Sequence, residues 1–322
     1  MTLLSLKNEI EKSIEIIQES ELKSEIEKAI VKPSNHKQRV LDINKNGFPK
    51  GFTTNIFNLD ERIKFYTKQL YLMTGYSFEG KSHLSEQILE YLLVFNDIRV
   101  GYYSPEHSID DFLIRQCTLL VGKPFENITP QELEECFDFF ENKIYSIDTD
   151  LKLLTFDELL DYTDWLVKNR NIQFMVVDNW ASILSDDSDA AQVKYTIARN
   201  LNKLRGYGKR NNMSFYLIAH PNKAPQRRDF SKPIGGYDIS GASEWQNFAD
   251  VGFTSHRDQS TSSQMLYIWK IKQGYQGKVG ELPIGYEQNT TRFTFGFDDR
   301  RNLLRINKTE IKQENNNDDV PF

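Results

Sequence analysis

Two glycines, a lysine and a serine stand in fixed order in Gly75-Tyr76-Ser77-Phe78-Glu79-Gly80-Lys81-Ser82, with His83 next. A run of the form G-x-x-x-x-G-K-[ST] lets the backbone curl until successive N–H groups face one point, and a following helix aims its positive end at that point. The chemistry is phosphate binding. Lys81 can reach β and γ phosphates and the Ser82 hydroxyl can ligate Mg²⁺, so residues 75–83 read as a cradle for ATP and Mg²⁺. Such a metal needs a further oxygen ligand. Phe174-Met175-Val176-Val177-Asp178 offers one: four apolar residues and then an aspartate at the carboxyl end of a strand, where ligands of parallel sheets collect. Asp178 would hold the metal through water. Hydrolysis also needs a group that orients water. Asn179 follows Asp178, so no carboxylate stands there, but Glu106 in "VGYYSPEHS" lies just past a strand end and can polarise a water in line with the γ phosphate. A local reading stands beside it, with Ser104 as helix N-cap, Pro105 at the first helical position and Glu106 favoured by the helix dipole.

Positioning these groups requires strands that alternate with helices. "QLYLMTG", "IRVGYYS", "KIYSID", "IQFMVVDN" and "MSFYLIAH" read as strands, and "MLYIWKIKQG" and "TRFTFGFD" add two rich in aromatic residues. Between them Leu84, Ile88, Leu89 and Leu92 make a helical stripe, and "SIDDFLIRQCTLLVG", "TFDELLDYTDWLVKNR" and "AQVKYTIARNLNKLRGYGKRN" read as helices. Apolar strands alternating with amphipathic helices imply an α/β fold, a twisted and mostly parallel sheet covered on both faces. Residues 2–31 read as a helical arm carrying Leu6, Ile10, Ile14 and Ile17, then Leu22, Ile26 and Ile30 after a change of phase. The arm could dock on another subunit or cover its own domain. "VKPSNHKQRVLDINKNGFPKGF", with two prolines and two glycines, reads as a linker. The organisation expected is an arm and linker at 1–45, an ATPase domain at 46–308 and an acidic, disordered tail at 309–322.

The chain has 322 residues, 27% charged and 39% apolar, with a net charge of -6. That balance argues against uniform coating of nucleic acid while permitting a local basic channel. No apolar run nears the roughly 20 residues of a membrane span, no secretory signal is visible, and Cys117 and Cys136 lack metal-ligand spacing. These features imply a reducing, cytoplasmic setting.

In this order the motifs resemble the RecA-like motor domain of hexameric replicative helicases of the DnaB and Twinkle type, including phage or mobile-element members, over roughly residues 51–295. "GFTTNIFNLDERI" is similar to the segment that precedes the family's phosphate loop, and "YYSPEHS" to its strand-end glutamate motif. "YLIAHPNK" resembles the strand whose terminal polar residue, here His220, reads the γ phosphate; a histidine ending a buried strand is otherwise a satisfied core residue. "YDISGASEWQNFADVGFTSHRD" resembles the stretch after the DNA-contacting loop, and "IWKIKQGYQGKVGELPIGYEQNTTRF" the finger strand and closing segment. The resemblance implies that Lys272 takes the place of an arginine finger that reaches into a neighbour's nucleotide. Lysine keeps the charge and loses the bidentate fork. The resemblance further implies a ring, a hexamer, with catalytic roles for Lys81, Glu106, His220 and Lys272, and work alongside a separate primase or loader.

Lys223, Arg227, Arg228 and Lys232 lie in "PNKAPQRRDFSKPIGGYDIS", interleaved with Phe230 and Tyr237, and Lys203, Arg205, Lys209 and Arg210 precede them. This local basic band would neutralise the phosphates of single-stranded DNA. The final residues "DDVPF" resemble the acidic tip of bacterial single-stranded-DNA-binding proteins. Phe322 would fill an apolar pocket, behind Pro321, while Asp318 and Asp319 steer the approach of a partner. Two function classes follow: an ATP-hydrolysing DNA helicase that translocates on single-stranded DNA in replication, or a RecA-like recombination or annealing factor that uses ATP to switch DNA affinity. A loader or regulatory ATPase is a third.

Overall fold

Apolar runs whose alternate residues face opposite sides build the centre of the molecule. A computed structural model describes residues 23–24, 26–183, 190–222, 232–241, 243–258, 261–296 and 303–305. The chain divides into two units, Met1–Lys50 and Gly51–Phe322.

In the first unit residues 26–29 are helical, and a 3₁₀ turn at Pro33–His36 leads into helix α1 (Lys37–Asn46). The segment expected to be a linker therefore contains a helix. Its Lys, Gln, Arg and Leu residues are good helix formers, and Gly47 ends it at φ 80°. Residues 1–22 of the arm, with Leu6, Ile10, Ile14, Ile17 and Leu22, lie outside the described residues, as does residue 25.

The second unit opens with a short helix, α2 (Phe57–Asp60), wrapped around the Asp60 carboxylate. That carboxylate accepts from the Thr54 N–H at 2.9 Å and from both the Thr53 and Thr54 hydroxyls. Strand β1 (Leu70–Thr74) is buried throughout and runs into the glycine-rich turn and helix α3 (Lys81–Phe95). There follow β2 (Val100–Tyr103), α4 (Ile109–Val121), α5 (Pro130–Phe140), β3 (Ile144–Ser146), α6 (Phe156–Arg170), β4 (Phe174–Asp178), α7 (Ala190–Arg210) and β5 (Ser214–Ile218). The chain then continues through α8 (Glu244–Phe248), β6 (Val251–Arg257), β7 (Gln264–Ile271), β8 (Gly280–Glu287) and β9 (Arg292–Thr294).

Among the described residues the strand order is β3-β2-β4-β5-β1-β6-β7-β8-β9. From β3 to β6 neighbours pair in parallel, and from β6 to β9 antiparallel. The sheet is thus the mostly parallel one expected. Period-two alternation sends Tyr71 and Met73 to a core shared with Leu84, Ile88, Leu92, Phe112 and Leu120. Leu70 and Leu72 turn the other way, toward Leu159, Leu201 and Leu204. Helices α3, α4 and α5 cover one face and α6 and α7 the other.

Strands β6 and β8 and helix α5 escaped the sequence reading. Helix α5 begins in a capping box, Thr129 with Glu132 and Pro130 at its start. Strand β6 has no apolar run: Thr254, Ser255 and His256 are buried polar residues, which period arguments do not recognise. Thr254 and Ser255 are tolerated because partners exist: the Ile234 carbonyl accepts from the Thr254 hydroxyl at 2.7 Å, and the Glu79 carbonyl accepts from the Ser255 hydroxyl.

Candidate nucleotide site

The chain leaves β1 through Gly75, at φ 149°, and enters α3 through Gly80, at φ 76°. Neither position has room for a side chain. A Cβ at Gly75 would stand 2.5 Å from the Ser255 carbonyl oxygen, and one at Gly80 would stand 2.6 Å from the Phe293 ring. Phe293 is itself fixed to the first turns of α3, donating its N–H to Gln87 Oε1 at 2.7 Å and accepting from Gln87 Nε2 at 2.6 Å. The closing Thr-Arg-Phe segment therefore braces the start of the helix whose N-terminus faces the loop. Between the glycines, Phe78 adopts φ 67° and is 98% exposed.

Lys81 is buried and donates to the Tyr76 carbonyl at 2.9 Å. Burial pulls its ammonium below the usual lysine range, offset by the carboxylates of Asp178, Glu79 and Glu106. Asp178 ends β4, is buried, and precedes a cis peptide bond to Asn179. Neither of its oxygens meets a well-aligned donor among the described residues, although the Ser82 hydroxyl and the Lys81 ammonium stand near enough to favour its charge. Burial dominates, and with Glu86 and Glu106 nearby it pushes the Asp178 carboxyl up to about 7. Two orphaned hard oxygens beside a hydroxyl fit a Mg²⁺ ion, which takes carboxylate and hydroxyl ligands.

Glu106 and His220 come from different strand ends and meet, His220 Nε2 lying 3.3 Å from Glu106 Oε1 with both half exposed. The capping alternative for Glu106 does not hold. Helix α4 starts at Ile109, and its cap is Ser108, whose Oγ accepts the Asp111 N–H at 3.1 Å. Glu106 is left in a bend, outside the helix and facing His220.

Sequence reasoning missed Glu86 and Arg115. Glu86 is buried one turn after Ser82 and is held by Arg115 through two bonds, at 2.7 and 2.8 Å, with the Tyr102 hydroxyl donating at 3.1 Å. The signal for it was present: a single arginine inside the apolar run "DFLIRQCTLL". The same pair surrounds His83, whose imidazole is lowered chiefly by burial.

Lys272 follows β7 and lies at the opposite end of the sheet from its own phosphate loop. Its ammonium is 3.1 Å from Asp250, which also accepts from Arg205 at 3.1 Å and from the first N–H of β1, that of Leu70, at 3.0 Å. Lys270 caps the last carbonyls of α8, at Gln246 and Asn247.

The basic band is narrower than expected. Arg205 serves Asp250 and Lys203 serves Asp157 at 3.1 Å. Helix α7 rises about 1.5 Å per residue and carries Lys209 and Arg210 away from His220. Lys232 is exposed, while Lys223, Arg227 and Arg228 lie outside the described residues, as do Asp318, Asp319, Pro321 and Phe322. The base of the basic loop is pinned at the site's end of the sheet: Pro221 bridges Ile239, and Asn222 donates to the Asp238 carbonyl at 2.7 Å.

No family model matches the chain. A Twinkle homolog protein, chloroplastic/mitochondrial, of Arabidopsis thaliana is 22% identical over 280 residues, which cover 81% of this chain and 39% of the relative. The chain thus spans about two fifths of that relative's length. Among solved structures, an isolated ATPase domain superposes with a TM-score of 0.66 at 14% identity, covering 81% of this chain and 99% of that one. A DnaB-like replicative helicase, solved for its interactions with primase, superposes with a TM-score of 0.67 at 14% identity, covering 90% and 74%. Sheet order, phosphate loop and these superpositions together show a RecA-like α/β P-loop ATPase fold, the fold of DnaB-type helicase ATPase domains.

Proposed function

We propose that the chain is the motor of an ATP-dependent DNA helicase that translocates on single-stranded DNA as a ring oligomer, a hexamer, in replication. The observation that carries this reading is the convergence of Lys81, Ser82, Asp178, Glu106 and His220 at the carboxyl ends of adjacent parallel strands. Residues 75–83 would cradle the triphosphate with backbone N–H groups, and Lys81 would exchange the Tyr76 carbonyl for a phosphate oxygen. Ser82 and Asp178 would hold Mg²⁺, which when bound supplies positive charge against the developing charge on the phosphates. Glu106 would orient the attacking water and take up its proton, and His220, hydrogen-bonded to Glu106, would report the γ phosphate to the loop that begins just beyond it.

Lys272 stands at the end of the sheet opposite its own loop, so in this reading it would act on a nucleotide held by another copy. This supports a finger role across a subunit boundary. The basic loop containing Lys223, Arg227, Arg228 and Lys232 opens at the end of the sheet that bears the site, which supports coupling of turnover to DNA. A primase or loader, docked in part through the Asp318–Phe322 tip, would complete the machinery. Cys117 and Cys136 are free and buried, which suits a reducing cytoplasm. No helix among the described residues is long and apolar enough to cross a membrane.

A DNA-stimulated ATPase assay coupled to unwinding of a forked duplex tests the proposal. Lys81→Ala should lose nucleotide binding, Glu106→Gln should bind without turnover, and Lys272→Ala should lose stimulation by DNA. Full turnover by Glu106→Gln removes it as the base. Annealing or filament formation without unwinding moves the chain to the recombination class.

A further inference from the structure

Glu79 is the residue of the phosphate loop that phosphate binding does not explain. It is an acid inside an anion site, and it is buried. Its carboxylate folds back across the loop. Oε2 accepts the Tyr76 N–H at 2.6 Å while the Glu79 N–H donates to the Tyr76 carbonyl at 3.3 Å, so the turn over residues 76–79 is closed in both directions. Oε1 lies 3.4 Å from His256 Nδ1 and equally far from the Arg257 N–H. The Glu79 carbonyl accepts from the Ser255 hydroxyl and, at 3.0 Å, from Gln264 Nε2, which also donates to Ser255 Oγ at 3.1 Å. Ser255, His256 and Arg257 are the last residues of β6, and Gln264 is the first of β7, paired directly with Arg257.

The loop is therefore held by its own side chain and by a strand pair behind it. Its strain needs such a hold, because Phe78 is a bulky residue at positive φ. Strain of that kind persists only where neighbours over-determine it. We propose that Glu79 is a positioning residue, through which the β6–β7 strand pair keeps the phosphate loop in its curled, nucleotide-ready form. The alternative is that the carboxylate acts as a plug that competes with phosphate for the Tyr76 N–H and for Lys81. The two readings make opposite predictions, since a latch strengthens nucleotide binding and a plug weakens it. The latch is favoured because the second carboxylate oxygen and the Glu79 carbonyl are both bound from the β6–β7 side.

This inference rests on the nucleotide-binding reading above, and the experiment separates the two. Binding of a fluorescent ATP analogue to the full chain is measured by anisotropy, together with KM and kcat and a thermal melt, for the parent, Glu79→Ala, Glu79→Gln and Gln264→Ala. Glutamine keeps an oxygen for the Tyr76 N–H. The expected Kd rise is about tenfold in Glu79→Ala, the scale set by one hydrogen bond to a charged acceptor. Glu79→Gln should restore most of that affinity, and Gln264→Ala should show a smaller rise in the same direction. KM should rise by a larger factor than kcat falls. A merely structural role would lower the melting temperature of Glu79→Ala and Glu79→Gln alike without a selective rise in KM. Tighter binding by Glu79→Ala, or unaltered binding in both Glu79 variants, overturns the latch. Absence of ATP binding by the parent overturns the nucleotide reading beneath it.

Discussion

Two buried aspartates stand at opposite ends of one sheet and are treated in opposite ways. Asp250, before β6, is matched by the Leu70 N–H, Arg205 and Lys272. Asp178, at the end of β4, is as deeply buried, yet no well-aligned donor among the described residues meets its oxygens. A buried carboxylate is costly unless it is paired. The paired one is a structural knot that ties the starts of β1 and β6 to α7 and to the residue after β7. The unpaired one suits a place kept for a cation, as the proposed function requires, at the end of the sheet that also bears the phosphate loop and Glu106. Burial alone does not separate these two aspartates; the presence or absence of well-aligned donors does.

The sharpest way to break this contrast is to neutralise each acid. Asp178→Asn should reduce ATP turnover on the order of 10²–10³-fold, the scale for loss of one electrostatic group in a preorganised site. It should also melt no lower than the parent at pH 8, because an amide carries no charge to bury. A coupled ATPase assay and a thermal melt check both halves. A clear fall in melting temperature would mean that Asp178 has a structural partner after all.

Asp250→Ala should do the reverse and act on stability first. Removing one side of a buried ion pair costs roughly 3–5 kcal/mol. The lower end is expected, because Lys272 is 42% exposed and solvent screens it. Arg205 and the Leu70 N–H would supply most of the loss, read as a shift in the denaturant midpoint. Retention of full stability would show that the knot is dispensable.

The smallest effect concerns pH. The folded Asp178 carboxyl is raised from an ordinary 3.8 to about 7. The folded state thus binds a proton more tightly than the unfolded chain, and the associated stability is fully present below about pH 4 and is lost as pH rises through 7. Without nucleotide, the parent should lose several degrees of melting temperature relative to Asp178→Asn between pH 5 and pH 8. A constant difference across that range would mean the carboxylate is charged throughout, and the contrast with Asp250 would fail.

Much of this architecture was legible in the chain. Strand-helix alternation was readable because apolar runs such as "FMVVD" are buried on both faces, and the phosphate loop because glycine spacing is local. Asp178 and Glu106 stood out as candidates because strand ends are visible in sequence and ligands collect there. Strand β6 was not legible, since Thr254, Ser255 and His256 have no hydrophobic period. The helix at Lys37–Asn46 was hidden by flanking proline and glycine. The lone Arg115 in an apolar run signalled a buried partner, but neither that partner, Glu86, nor the cations of Asp250 could be named, because the members are distant in the chain and nothing local selects between candidates.

What the sequence determined by itself is everything set by neighbours a few residues apart: the curl of Gly75–Ser82, the strand that enters it, the helix that leaves it, and the period that places each face. Tertiary structure alone decided which buried charges are answered. It brought His220 to Glu106, gave Asp250 its cations, left Asp178 without a well-aligned donor, and set β6 and β7 behind Glu79. The reason is physical: backbone conformation follows local sterics and periodicity, while the cost of a buried charge depends on whatever the folded chain happens to place within about 4 Å of it.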